Sequence, residues 1–262
     1  MTQEVYQKLQ KRLDTYSMGF PATESGIEFK ILEHLFTPEE AEIFLALSPK
    51  LEAVEPVAAR LGQDPADLGP KLTDMAERGL LFRSLKGGVS RFGTVAFVHG
   101  LFEFQLHDLK PELVAMVEQY HDEGFEGAMQ TGAEFFLRTI PVGRSVDVTR
   151  NVAAFEDAVE ILNSKDSIVV ADCICRKKEQ VLGRGCGKPL ESCFIFGAMG
   201  QYYLDRGIGR QVSLDEAVKI LDDCREAGMV TQPATSQNPS GMCNCCGDCC
   251  GVLKAIKTHP KP

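Results

Sequence analysis

The sequence predicts a two-part α/β protein of the α+β kind, with a mostly helical front followed by a cysteine-rich domain that mixes helix and strand. Three observations predict it. All ten cysteines fall between Cys173 and Cys250, so residues 1–172 contain none. Charge divides at the same place: residues 1–172 carry 16 Lys and Arg against 28 Asp and Glu, a net of −12, and residues 173–262 carry 12 against 9, a net of +3, which together give the chain's −9. Apolar spacing changes as well, from helical periodicity in the front to short β-branched runs such as Ile168-Val169-Val170. With 262 residues and 44% hydrophobic composition, the chain can bury a sizeable core.

Four segments follow from the pattern: a helix and linker at 1–26, a helical module at 27–100, a helical connector at 101–166 and the cysteine-rich domain at 167–262. Residues 1–16 read as an amphipathic helix, and helical spacing resumes at 27–35. Thr37 with Glu40 makes a helix-start box ahead of 41–47, in which the hydroxyl and the carboxylate satisfy free backbone amides. Helices follow at 54–61 and 66–78 around a turn at 62–65, and Gly79 can end the second in a left-handed conformation. Two short runs, 81–84 and 91–97, flank Lys86-Gly87-Gly88 and read as a β-hairpin. This order of helix, helix, turn, helix and hairpin at 27–98 resembles a winged helix-turn-helix module. DNA contact through 66–78 is disfavoured, because Asp67, Asp74 and Glu77 would face phosphate alongside Lys71 and Arg78. A protein-docking or homodimerising module is the reading preferred on charge.

Further along, 111–137 looks helical although Gly124, Gly127 and Gly132 interrupt it; 136–148 reads as a strand and 153–162 as a helix. The apolar run 167–172 is a buried strand that delivers Cys173, and 194–204 reads as a buried helix. Ser213 with Glu216 forms a second helix-start box for 214–227, which Gly228 closes; 229–232 is a short strand and 233–240 a loop.

Composition excludes several classes. The first twenty residues lack the apolar centre of a secretory signal and no run approaches a membrane span, so a cytoplasmic location without a membrane span is expected. In a reducing compartment, clustered thiols point to metal or redox chemistry before disulfides. A net of −9 argues against general nucleic-acid affinity. No phosphate-binding glycine loop, dinucleotide fingerprint or serine nucleophile motif is present, and His34, His99, His107, His121 and His259 form no pattern with a catalytic carboxylate.

The cysteines form two groups and one outlier. Cys173, Cys175, Cys186 and Cys193 enclose Gly183, Gly185, Gly187 and Pro189, so a loop can fold four thiolates around one metal set. The chain is expected to turn at Ile174 so that both sulfurs of the C-x-C pair reach one centre. Cys243, Cys245, Cys246, Cys249 and Cys250 make the second group, in which Cys243, Cys246 and Cys249 reproduce the C-x2-C-x2-C spacing of ferredoxin loops. A fourth ligand there comes from Cys250, Cys245 or Cys224; the last, inside a helix, also reads as a small buried hydrophobe. Two 4Fe-4S clusters are the preferred cofactors and zinc the competitor, since zinc sites pair C-x2-C knuckles that the first group lacks, and the second group exceeds one zinc's need. The basic excess around the thiols would offset the negative charge of a thiolate-held cluster. Arg176, Lys177 and Lys178 read either as a guide for an acidic partner or a balance to cluster charge, or as a solvated basic turn, and Asp248 as a turn residue.

The runs ADCICRKKEQVLGRGCGKPLESCFIFG, EAGMVTQ and GMCNCCGDCCGVL resemble a group of 4Fe-4S binding, ferredoxin-related proteins of anaerobes, over most of residues 27–258. Those proteins join a winged-helix-like front to this cysteine core and then to a ferredoxin-type tail. The resemblance implies that both cysteine groups bind clusters and pass electrons to or from a redox partner protein, a ferredoxin or a reductase, as an electron-transfer protein or oxidoreductase subunit. No C-x2-C-x2-C-x3-C-P repeat follows Cys250, so either the form is shortened or its external electron contact lies on another polypeptide. Two alternatives stand beside this: a redox-sensing transcription regulator that uses the winged helix, and an enzyme that binds substrate at an open iron of a site-differentiated cube.

Overall fold

Apolar residues at helical spacing build the front of the chain in a computed structural model that describes residues 2–125, 127–128, 137, 139–140 and 158–258. Helices α1 (Thr2–Asp14), α2 (Ile27–Leu35), α3 (Pro38–Ala46), α4 (Val54–Leu61) and α5 (Pro65–Glu77) precede the hairpin β1 (Phe82–Lys86) and β2 (Val89–Gly93), and α6 (Pro111–Tyr120) follows. Thr37 and Glu40 form the reciprocal box that starts α3. Gly79, at φ 80°, turns the chain out of α5 into the hairpin, as a residue without a Cβ can. Helix α1 packs on α2 and α3, and α6 packs on α2. Leu9, Leu13, Ile31, Leu32, Phe44 and Leu72 are fully buried there, while the Phe20 ring lies tilted at 4.4 Å from Phe97 and 4.7 Å from Tyr120. Around α5, Lys71 pairs with Glu39, and Arg78 with Asp74 and Glu40.

This α+β chain divides into two units, Met1–Met129 and Gln130–Pro262, within the stretch read as a connector. The expected helix at 111–137 stops as an α-helix at Tyr120 and continues as a π turn to Phe125. The strand expected at 136–148 falls largely outside the described residues, where Leu137 and Ile140 make isolated antiparallel bridges to Ala234 and Thr231. Residues 153–157 of the next expected helix also lie outside them; α7 (Ala158–Asn163) carries its end.

The second unit is built on β3 (Ile168–Asp172), α8 (Ile174–Val181), β4 (Glu191–Phe196), α9 (Gly197–Asp205), β5 (Arg210–Val212), α10 (Leu214–Glu226), β6 (Val230–Pro233), β7 (Gly241–Cys245) and α11 (Gly251–Thr258). Its five strands form one antiparallel sheet in the order β5-β3-β4-β7-β6. The expectation of a helix at 194–204 is corrected: Phe194, Ile195 and Phe196 belong to β4, and the helix begins at Gly197. Pairing of these residues with β3 and β7 overrides their helical spacing. The loop after β6 leads into β7, a strand hidden in sequence by its cysteines.

Side chains alternate across this sheet. Ile168, Val170, Phe194, Phe196 and Met242 form the apolar face, covered by Ala217 and Leu221 of α10 and by Ala158, Ile161 and Leu162 of α7. Cys193, Cys243 and Cys245 therefore take the opposite face. Gly228, at φ 68°, ends the turn after α10 and leads the chain into β6. No helix among the described residues is long and apolar enough to cross a membrane.

Candidate metal centre

The ten cysteines, all described, form no disulfide. Their placement follows from the sheet. In a strand a C-x-C pair already shares a face, as Cys243 and Cys245 do on β7. Cys243 lies opposite Cys193 in the register of β4 and β7. At the first C-x-C pair the chain changes direction at Ile174 by starting α8, and the sulfurs of Cys173 and Cys175 come into contact. Cys173 stands at the helix start and Cys175 in its first turn, where Cys173 meets Cys175 and Cys193 and Cys175 also packs toward Cys246 and Cys249.

Two sulfur sets result, and each draws on both sequence groups. In the first, the sulfurs of Cys186, Cys246 and Cys249 lie within 4.8 Å of one another, with Cys186 and Cys246 at 3.8 Å. Cys175 borders this set, and Cys224 of α10 packs against it beside Met229. The second runs through contacting thiols from Cys173 to Cys193, Cys243, Cys245 and Cys250. Sequence neighbours are thus parted: Cys245 goes to one set and Cys246 to the other, and Cys250 and Cys249 divide likewise. The sulfur sets do not follow the two motifs one to one, because strand and helix starts direct adjacent side chains to different sides, although Cys173, Cys175 and Cys193 of the first motif stay in contact.

The acid–base chemistry of the sulfurs fits a cation. Contacts with Cys175 and Cys193 hold Cys173 well below the ordinary thiol range, and contact with Cys173 and Cys243 drives Cys193 well above it. Burial pushes Cys246 up, but hydrogen bonds from Arg176 and Cys249 bring it below its ordinary value. Burial pushes Cys249 up, and so do its neighbours Cys186 and Cys246. Cys250 is lowered by the thiol of Cys245, which is itself raised by Cys243 and Cys250. Crowded sulfurs cannot all ionise beside one another; a bound cation removes that repulsion. Cys224, pushed up by burial to about 11, behaves as a buried thiol.

A polar network runs between the sets. Arg176, for which the sequence left a partner-guiding or charge-balancing role open beside a solvated basic turn, is only 2% exposed. Asn244, between Cys243 and Cys245, accepts from Thr231 at 2.7 Å and donates to the Ser192 carbonyl at 2.9 Å. Ser192 and Asn244 were missed in sequence; their alternation with cysteines on two strands was the available signal. Next to Arg176, Lys178 and Glu179 are also buried, and Glu179 accepts from Arg184 and Lys254 at 2.8 Å each. Asp248 is exposed in a turn, as expected. His34, His99, His107 and His121 belong to the first unit, and His259 lies outside the described residues. No family model matches the chain, and neither the curated proteins nor the solved structures give a match.

Proposed function

We propose that the second unit is a one-electron carrier that holds two iron–sulfur centres, one on Cys175, Cys186, Cys246 and Cys249 and one on Cys173, Cys193, Cys243 and Cys250. The observation that carries this is the parting of neighbouring cysteines into two sulfur sets. Two mononuclear ions would use eight of the nine clustered thiols, so number alone does not decide, but the second set's run of five contacting sulfurs favours a polynuclear group. Cys245 then stands as a surplus thiol beside the second set.

A 4Fe-4S cluster held by these cysteines would supply one-electron transfer between a protein donor and a protein acceptor, with no substrate bond changed. The chain's own residues supply the enclosure. The β4–β7 register holds Cys193 against Cys243, and burial of Cys173, Cys246, Cys249 and Cys250 keeps water from the sulfurs. A ferredoxin or reductase is the proposed partner. DNA recognition gains no support from α5, whose Lys71 and neighbouring Arg78 are engaged by carboxylates.

One observation favours a second reading at the first set. A tetrahedron of zinc–sulfur bonds has an edge of about 3.8 Å, and Cys186 and Cys246 stand 3.8 Å apart. Metal analysis separates the two. Anaerobically purified protein should contain about eight iron and eight acid-labile sulfide per chain if both sets hold a cube, and Cys246→Ser or Cys250→Ser should each remove about half. Stoichiometric zinc without sulfide would overturn the iron–sulfur proposal in favour of mononuclear sites.

A further inference from the structure

We propose that Arg176 is a counter-charge shared by both sulfur sets, so that one guanidinium favours reduction of both centres and ties their potentials together. This deepens the proposed function and rests on both sets holding iron–sulfur centres. Arg176 follows Cys175 directly, yet it points inward and is among the largest fully buried side chains of the chain. Its Nη1 donates to the Asn244 carbonyl at 3.1 Å and toward the sulfur of Cys246 at 3.8 Å. Nη2 donates to the same carbonyl at 3.1 Å and to the Ser192 hydroxyl. Nε is buried without a hydrogen-bond partner. All the acceptors other than sulfur are neutral, and among the described residues no carboxylate pairs with this side chain.

A buried cation that lacks a carboxylate is costly unless other negative charge faces it. Here that charge is sulfur from both sides. The Arg176 Nη1 faces the Cys246 sulfur of the first set, while its backbone amide donates to the Cys173 sulfur of the second and Ser192, which takes Nη2, directly precedes Cys193 on β4. Glu179, the nearest acid in sequence among the buried residues, is instead engaged by Lys178, Arg184 and Lys254. Arg176 is therefore left to the thiolates. Hydrogen bonds to cluster ligands and net local charge are two of the levers that set iron–sulfur potentials. Adding an electron makes each centre more negative, so a fixed cation between them stabilises both reduced forms.

The test is a dye-mediated dithionite titration of loaded protein under anaerobic conditions, followed by EPR, with iron and sulfide measured on every sample. In Arg176→Gln both potentials should fall by at least the equivalent of a tenfold change in the reduced-to-oxidised ratio, about 59 mV for one electron. Arg176→Lys, which keeps the charge, should recover more than half of that fall at both centres. A fall at one centre alone, or none at either, overturns the shared role while iron and sulfide remain present. If Arg176→Gln does not load, Arg176→Lys decides: loading with both potentials nearer wild type than the tenfold displacement supports the charge, and failure to load overturns it. Absence of iron and sulfide from the wild type is a separate result, which removes the iron–sulfur proposal itself.

Discussion

The two units bury different matter. The first closes on carbon, with Leu9, Leu13, Phe44 and Leu72 inaccessible to solvent and its ion pairs at Arg60–Glu52, Lys71–Glu39 and Arg78–Asp74 partly exposed. In the second, one face of the sheet closes on carbon and the other on sulfur, with Arg176, Lys178 and Glu179 buried nearby. An apolar core needs nothing beyond its own chain, whereas crowded thiols gain their full stabilisation when a cation completes them. The difference teaches that metal and fold should be separable in the first unit and inseparable in the second.

Removing the metal tests that separation most severely. Thiolate sites couple binding to folding on the order of 10 kcal/mol, so chelation should collapse amide hydrogen-exchange protection in β4 and β7. Protection in α1, α3 and α5 should be unmoved. Equal loss in both units, or none in the second, would break the comparison.

Phe44→Ala attacks the carbon side instead. Truncating a fully buried Phe costs about 3–5 kcal/mol through lost transfer energy and the cavity left behind. Chemical unfolding should show that loss in the first unit, with iron and sulfide per chain unchanged; a matching loss of metal would show that the units are not independent.

Glu179→Gln sharpens the comparison within the second unit. Burial opposes ionisation of Glu179, but hydrogen bonds from Lys254 and Arg184 and the charge of Lys178 hold its carboxyl below the ordinary 4.5. Losing these charge-assisted bonds should cost about 1.5–3 kcal/mol near neutral pH. The sign follows from the depressed value: the contribution is fully present above the unfolded-state value and is lost as pH falls through the folded one. The stability gap between wild type and Glu179→Gln, measured by chemical unfolding of loaded protein, should therefore be constant above 4.5 and close below it. A gap that widens on acidification would contradict the assignment.

These contrasts were unevenly legible in sequence. Helix starts were plain, because Thr37 with Glu40 and Ser213 ahead of Glu216 signal through residues three positions apart. The hairpin was plain for the same local reason, its Gly87 and Gly88 both lying at positive φ. The clustering of the cysteines was readable, but their division into two sets was not. That division depends on β4 pairing with β7 across about fifty intervening residues, and nothing near Cys193 or Cys243 announces the partner strand. The place of Arg176 was hidden likewise: a basic residue beside two lysines reads equally as a charge balance, a partner guide or a solvated turn, and its burial rests on the carbonyl of Asn244, 68 positions on.

The smallest effect belongs to the most local feature. Thr37 accepts from the Glu40 amide at 3.3 Å, and the Glu40 carboxylate accepts from the Thr37 amide at 2.8 Å, so two amides that α3 leaves without helical partners are satisfied. Thr37→Ala removes one of these bonds and should cost about 1 kcal/mol. Glu40 also pairs with Arg78, so Glu40→Ala should cost more than the cap alone, and the double variant should lose less than the sum of the two. Because the box lies in the carbon-cored unit, unfolding of the first unit should register the change while reduction potentials and metal content stay at wild-type values. A shift in either potential would mean that the front of the chain reaches the sulfur sets, and the contrast between the units would have to be redrawn.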